Sequence, residues 1–295
     1  MRAIDLFEES TQVRARRAAA TERSLRPVGV PTQAPKFDLR RESHVWMVDA
    51  RDVSPTRLAQ YEALLDDEEL DRSHGRPAGD RRMFIIVRAL VRTALSHYAP
   101  VSPKDWKFAA GPYGRPYIAG PAGAPALNFS VTCTGHYAFV LVTTGPYAAI
   151  DAERFRRIDN VTRIARSYYA PAEAAAVGLA AKDERNELFF TLWSLKEAYL
   201  KARGYGTMVP LPGATFTVEG AAIDFELDDS MEDDAGRWDF QLLHPTPDTV
   251  VTVALSSAHA LTSRLRCFRA VPLESETPVD VKVSARTHAG FVGNG

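Results

Sequence analysis

One order of segments runs through this chain twice. A short strand-like run comes first, then a long helical run, then several alternating strand runs. In the first pass, Val45, Met47 and Asp49 alternate as in a strand, and residues 81–98 (RRMFIIVRALVRTALSHY) form the helical run. There Phe84, Val87, Leu90, Val91 and Leu95 recur at steps of three and four, the spacing of one buried helical face. Strand-like runs follow at 107–109, 117–118, 127–131 and 137–143. The second pass begins with a strand at 148–152 and continues with helices near 161–169, after Pro171, and at 185–203. It ends with alternating runs at 215–218, 223–227, 238–243 and 250–255. A repeated order of this kind predicts an α+β fold of two similar halves related by pseudo-two-fold symmetry, meeting near residues 144–150.

The boundaries follow from where the pattern stops. Residues 1–40 and 271–295 show no sustained period and read as tails. Residues 41–146 form the first half and 147–270 the second. Pro100 and Pro103 end the first long helix, and Gly204 and Gly206 end the second as a C-terminal cap. Ser54 or Thr56 caps a helix running to Leu64. The acidic stretch 66–71 continues as a polar helical face, and 228–234 reads as a solvated hairpin loop.

Composition narrows the function. Hydrophobic residues make up 45% of the 295, enough to bury a core without disulfide staples. A net charge of −1 argues against a nucleic-acid binder that relies on bulk charge. No apolar run approaches a membrane span, and the first twenty residues lack the apolar core of a secretory signal. Cys133 and Cys267 stand far apart, which suits a reducing, cytoplasmic setting. Seven scattered histidines and two lone cysteines form no zinc cluster. No GxxxxGK[ST] loop is present, against a P-loop phosphotransferase or nucleotide hydrolase. Cys133 lacks a partner and reads as a strand-end thiol.

Four short constellations carry possible chemistry. In Asp151-Ala152-Glu153 an extended backbone points both acids to one side, either as hard oxygen ligands for magnesium or as a solvated strand end. Glu197 and Lys201 share a helical face in FFTLWSLKEAYLK, as a surface ion pair or as a third metal ligand and a phosphate cation. Gly111 to Pro116 (GPYGRP) is a tight turn presenting Arg115. Asn128 to Thr132 (NFSVT) is an ordinary buried strand, or one whose hydroxyls and amides hold a phosphate.

Taken in order, GPYGRP, NFSVT, AIDAE and FTLWSLKEAYLKARGYG closely resemble the surfactin-type (Sfp-type) 4'-phosphopantetheinyl transferases over roughly residues 44–265. The resemblance implies the family fold and a reaction. The phosphopantetheine arm of coenzyme A moves to a serine of an apo acyl, aryl or peptidyl carrier protein, and 3',5'-ADP leaves. It implies Mg2+ held by Asp151, Glu153 and Glu197. Lys201 contacts the phosphates and Glu197 accepts the serine proton. Lys196 helps with charge, and Arg115, Pro116 and Ser130 serve the nucleotide end. Arg72 and Arg82, with Arg81 beside Arg82, are candidates for the 3'-phosphate. A monomer is sufficient, with no nucleic-acid or membrane partner. Val131 stands where the family pattern has histidine, and Ala149 where it often has glycine. The alternative these departures support is a coenzyme A- or nucleotide-binding protein of the same fold with weak or lost transfer.

Overall fold

The computed structural model describes residues 37, 39, 42–111, 113–204, 211–256 and 264–287. The first half opens with β1 (Glu42–Asp49). The Oγ of Ser54 accepts from the Arg57 amide (3.2 Å) and starts α1 (Pro55–Glu62), with Pro55 in its first turn. The acidic run then forms a helix of its own, α2 (Asp67–His74). A capping box starts it: Asp66 accepts from the Glu69 amide (3.0 Å), and Glu69 accepts from the Asp66 amide (3.2 Å). The long helix α3 is Ala78–Leu95, and its predicted stripe of Phe84, Val87, Leu90, Val91 and Leu95 is fully buried. The half closes with the hairpin β2 (Lys107–Ala110) and β3 (Pro116–Gly120), then β4 (Asn128–Thr134) and β5 (Tyr137–Thr143).

The second half repeats this order. It runs β6 (Ala148–Arg154), α4 (Val161–Tyr168), α5 (Pro171–Leu179), α6 (Arg185–Arg203), β7 (Ala214–Glu219), β8 (Ala222–Leu227), β9 (Trp238–Thr246) and β10 (Thr249–Ser256). The pairing repeats as well. Strand β1 is antiparallel to β5, and β5 to β4, just as β6 is antiparallel to β10, and β10 to β9. Hairpin β2–β3 has its counterpart in β7–β8. The expected pair of similar α+β halves is therefore present at the level of strand order and pairing.

The C-terminal stretch departs from expectation. The sequence pattern predicts a tail over residues 271–295. Instead, β11 (Arg264–Val271) lies parallel to β1, β12 (Ser275–Val279) pairs with β11, and β13 (Val283–Arg286) enters the second sheet between β9 and β8. The sheets thus run β12-β11-β1-β5-β4 and β6-β10-β9-β13-β8-β7. Strands this short gain order from their neighbours, and β12 alternates little (SETPV), so sequence period is a weak guide to them. The N-terminal tail expected at 1–40 lies outside the described residues except at Phe37 and Leu39.

Each sheet has two apolar faces. One packs on the half's own helices, forming a core around α3 and another around α6. The other faces meet across the molecule through Val45, Phe139, Leu141, Ile150, Val253 and Leu255. Burial on both faces is why β5 and β10 read as continuous apolar runs. The edge strands β4 and β6 also meet through hydroxyls. The Oγ of Ser130 accepts from the Ile150 amide (3.2 Å), and the Oγ1 of Thr134 accepts from the Arg154 amide (2.9 Å). These bonds satisfy edge amides that would otherwise lack partners.

Candidate functional site

Strand β6 sorts its side chains by parity. Ala148, Ile150 and Ala152 enter the core between the sheets, so Asp151 and Glu153 face the other way, toward α6. On α6, Trp193, Glu197 and Lys201 recur every fourth residue and form one stripe. Strand face and helix stripe border a single cavity of about 1090 Å³. Its remaining walls come from the start of α3 (Gly79, Asp80, Met83), the end of β4 (Thr132 to Gly135) and α4 (Ile164, Tyr168). Arg154, Phe155, Arg156 and Ile158, with the rings of Phe189 and Phe190, complete it.

Asp151 is the centre of the polar end. It is 5% exposed. Its Oδ1 accepts from Thr132 Oγ1 (3.3 Å) and from the ammonium of Lys201. Its Oδ2 is buried and, among the described residues, has no hydrogen-bond partner. Burial works against the charge on Lys201, yet Asp151 and then Glu197 hold the ammonium above its ordinary range. Burial, and then the charge of Asp151, pushes the Glu153 carboxyl up to about 7. Arg156 lies 3.3 Å from Glu153 and opposes that shift.

Asp151 and Glu153 bring hard oxygen donors side by side, and the orphaned Oδ2 of Asp151 suits a divalent cation that takes oxygen ligands. In this structure Lys201 supplies the positive charge at Asp151. Among the described residues, no three acidic, histidine or cysteine side chains stand together at ligand spacing.

Four of the expected site residues, Asp151, Glu153, Glu197 and Lys201, share the cavity. The others do not line it. Lys196 is fully buried on the far side of α6. There its ammonium pairs with Glu173 (2.7 Å) and donates to the carbonyls of Leu211 (2.9 Å) and Ala214. Arg115 donates to the carbonyls of Ala202 (2.9 Å), Ala148 (3.1 Å) and Pro146 (3.4 Å), so it ties the GPYGRP turn to the end of α6 and the start of β6. A guanidinium beside a helix C-terminus finds such carbonyls readily. Ser130 holds the Ile150 amide, as described above, and Pro116 opens β3 opposite Ala110. Arg82 donates to the carbonyls of Ala50 (2.9 Å) and Val53 (2.5 Å), and Arg72 is half-buried on α2. Arg81 pairs with Glu62.

Val131 is 5% exposed, opposite Val140, in the core around α3. Strand alternation sends position 131 inward, while Thr132 reaches Asp151. His136 sits 3.9 Å from Asp49, away from the cavity wall. Cys133 does line the cavity, and burial pushes its thiol up. Gly204 ends α6 in the left-handed region (φ 75°) as the sequence suggested, whereas Gly206 lies outside the described residues. The loop 228–234 is less solvated than expected: Asp233 accepts from Trp238 Nε1 (2.8 Å) and Tyr199 Oη (3.0 Å). Sequence reasoning missed Arg156 and the aromatic wall of Tyr168, Phe189, Phe190 and Trp193. An arginine three residues beyond AIDAE was the available signal for the first.

Residues 148–254 match the family model described as the 4'-phosphopantetheinyl transferase superfamily. Among relatives, a Synechocystis sp. protein that carries the transferase name provisionally is 29% identical, over 50% of this chain and 59% of its own length. The 4'-phosphopantetheinyl transferase HetI of Nostoc sp. is 28% identical, over 57% of this chain and 71% of its own. The 4'-phosphopantetheinyl transferase Sfp of Bacillus subtilis is 26% identical, over 51% and 65%. This chain spans 59% of the first relative's own length, and the family-model match contains β6 and α6, which carry the four cavity residues. Residues 148–254 thus carry the pattern of the 4'-phosphopantetheinyl transferase superfamily, and the chain is similar to these transferases over about half of its length.

Proposed function

We propose that this chain transfers the 4'-phosphopantetheine arm of coenzyme A to a serine of an apo acyl, aryl or peptidyl carrier protein, in the presence of Mg2+, and releases 3',5'-ADP. The observation that carries this reading is the convergence of Asp151, Glu153, Glu197 and Lys201 on one cavity wall. Asp151, Glu153 and Glu197 would hold Mg2+, which supplies charge neutralisation to the pyrophosphate when bound. Lys201, already cationic at Asp151, would contact the phosphates and support the departing nucleotide. The serine oxygen attacks the β-phosphorus, and the bond to the bridging oxygen breaks. Glu197 would take the serine proton. Transfer of this kind asks the protein to position groups and balance charge, with no nucleophile of its own.

The reaction would run in the cytoplasm and needs only a monomer, with the carrier docking at the cavity rim. Cys133 and Cys267, both free thiols, suit that compartment. No helix among the described residues is long and apolar enough to cross a membrane.

Incubation with coenzyme A, Mg2+ and an apo carrier should raise the carrier's intact mass by one phosphopantetheine unit. Glu197→Gln and Asp151→Asn should slow that gain by at least about 100-fold. Near-normal transfer by Asp151→Asn would sink the mechanism. The burial of Val131 in the core favours a second reading, a coenzyme A-binding protein without transfer. Coenzyme A binding with no gain in carrier mass would select it.

A further inference from the structure

Three cations line the cavity: Lys201, Arg154 and Arg156. Lys201 is engaged by Asp151. The Nε of Arg154 donates to Asp248 (2.6 Å). Arg156 differs from both in its stacking on an aromatic ring. Its Nη1 lies 3.3 Å from the Glu153 carboxylate and 3.3 Å from the Arg154 carbonyl. Among the described residues its Nε and Nη2 make no hydrogen bond. Its guanidinium carbon sits 4.3 Å from the centre of the buried Phe190 ring. Stacking orders the guanidinium plane without consuming its N–H groups. The side chain is 60% exposed, so a ligand can reach it.

We propose that Arg156 binds a phosphate group of the coenzyme through these uncommitted donors. The inference rests on the transferase reading, which supplies the polyphosphate ligand. A planar guanidinium offers paired N–H groups to a phosphate, and Arg156 lies three positions after Glu153 and 3.3 Å from its carboxylate, so the bound phosphate stays within side-chain reach of the acids. Of the residues offered for the nucleotide end, its charge and the 3'-phosphate, Arg115, Ser130, Lys196 and Arg82 are committed to internal bonds. Arg156 combines two uncommitted nitrogens with a ring that orders its plane beside Glu153.

The test is calorimetric titration of coenzyme A, with Mg2+, into the full chain as wild type, Arg156→Gln and Arg156→Lys, beside the KM for an apo carrier. Arg156→Gln should weaken coenzyme A binding about tenfold or more. Arg156→Lys should recover part of that loss, and the carrier KM should stay unchanged. Equal coenzyme A affinity in all three proteins overturns the proposal. If in that case the carrier KM rises, Arg156 recognises the carrier instead; if it does not, its role is internal. Binding by the wild type without transfer sinks the transferase reading while Arg156 is still judged by its own affinities. Failure of the wild type to bind coenzyme A at all sinks both.

Discussion

Lys196 and Lys201 stand five residues apart on α6 and have different roles. At ~100° per residue they point about 140° apart around the helix axis. Lys201 therefore reaches Asp151 in the cavity, while Lys196 reaches Glu173 in the core. Burial draws the Lys196 ammonium below its ordinary range, and Glu173 opposes that. Glu69 serves α3 as Glu173 serves α6, pairing with buried Arg88 and with Arg92 (2.5 Å). Removing one partner of such a pair strands the other charge, at a cost of about 3–5 kcal/mol. His44 shows the same logic without a net charge. Its Nε2–H donates to Glu42 (2.9 Å), and its Nδ1 accepts from Tyr98 Oη (2.7 Å), so the neutral ring is satisfied. Burial holds the imidazole below its ordinary range against the pull of Glu42. The unfolded chain then takes up a proton near pH ~6.5 while the fold does not. Stability contributed here is present above that pH and is lost as pH falls toward the folded pKa. The melting temperature should thus drop more between pH ~7.5 and ~5.5 in the wild type than in His44→Gln. Parallel melting curves would show that His44 contributes none of the slope.

Among the elements, α6 is fixed at both ends of its role. Its stripe presents the cavity residues, and its last turn is held by Gly204 and by Arg115 reaching the Ala202 carbonyl. Gly204 adopts φ 75°, which L side chains disfavour. Arg115 also fastens the start of β6 through the Ala148 carbonyl, so one side chain links the turn before β3 to both elements of the site. Arg115→Ala should remove about 1–3 kcal/mol of stability by leaving these carbonyls without donors. It should also leave coenzyme A affinity close to that of the wild type. Thermal melts and calorimetric titration check the two parts. Weaker binding with an unchanged melting temperature would return Arg115 to the role the resemblance gave it.

Considered entire, the molecule is two repeated units closed by a non-repeated third passage of chain. Strand β11 extends the first sheet beyond β1, and β13 fills the gap between β9 and β8 in the second. The last strands therefore clamp both halves. Deleting residues 272–295 removes β12 and β13 and leaves β9 and β8 with unpaired inner edges. Unpaired edges template aggregation, so the shortened chain should be insoluble or melt at least about 5 °C lower. Wild-type solubility and melting would mean that β13 contributes little to the second sheet.

Periodicity and motif spacing were enough for the repeated strand–helix–strand order, for α3 and α6 nearly to their bounds, and for the four cavity residues. Each of these rests on local geometry: a 3.6-residue face, a two-residue strand alternation, or a four-residue helical stripe. Parity alone put Asp151 and Glu153 on one side, and spacing alone put Glu197 with Lys201. The placements that local pattern leaves open need long-range information. Whether Arg115, Ser130 and Lys196 meet a ligand or the protein's own carbonyls, amides and acids depends on which distant segment packs beside them. The same holds for β11 to β13, whose partners lie elsewhere in the chain. Side-chain type and spacing fix which groups share a face, whereas the packing of one half on the other decides which of those groups the protein satisfies internally and which it leaves facing the cavity.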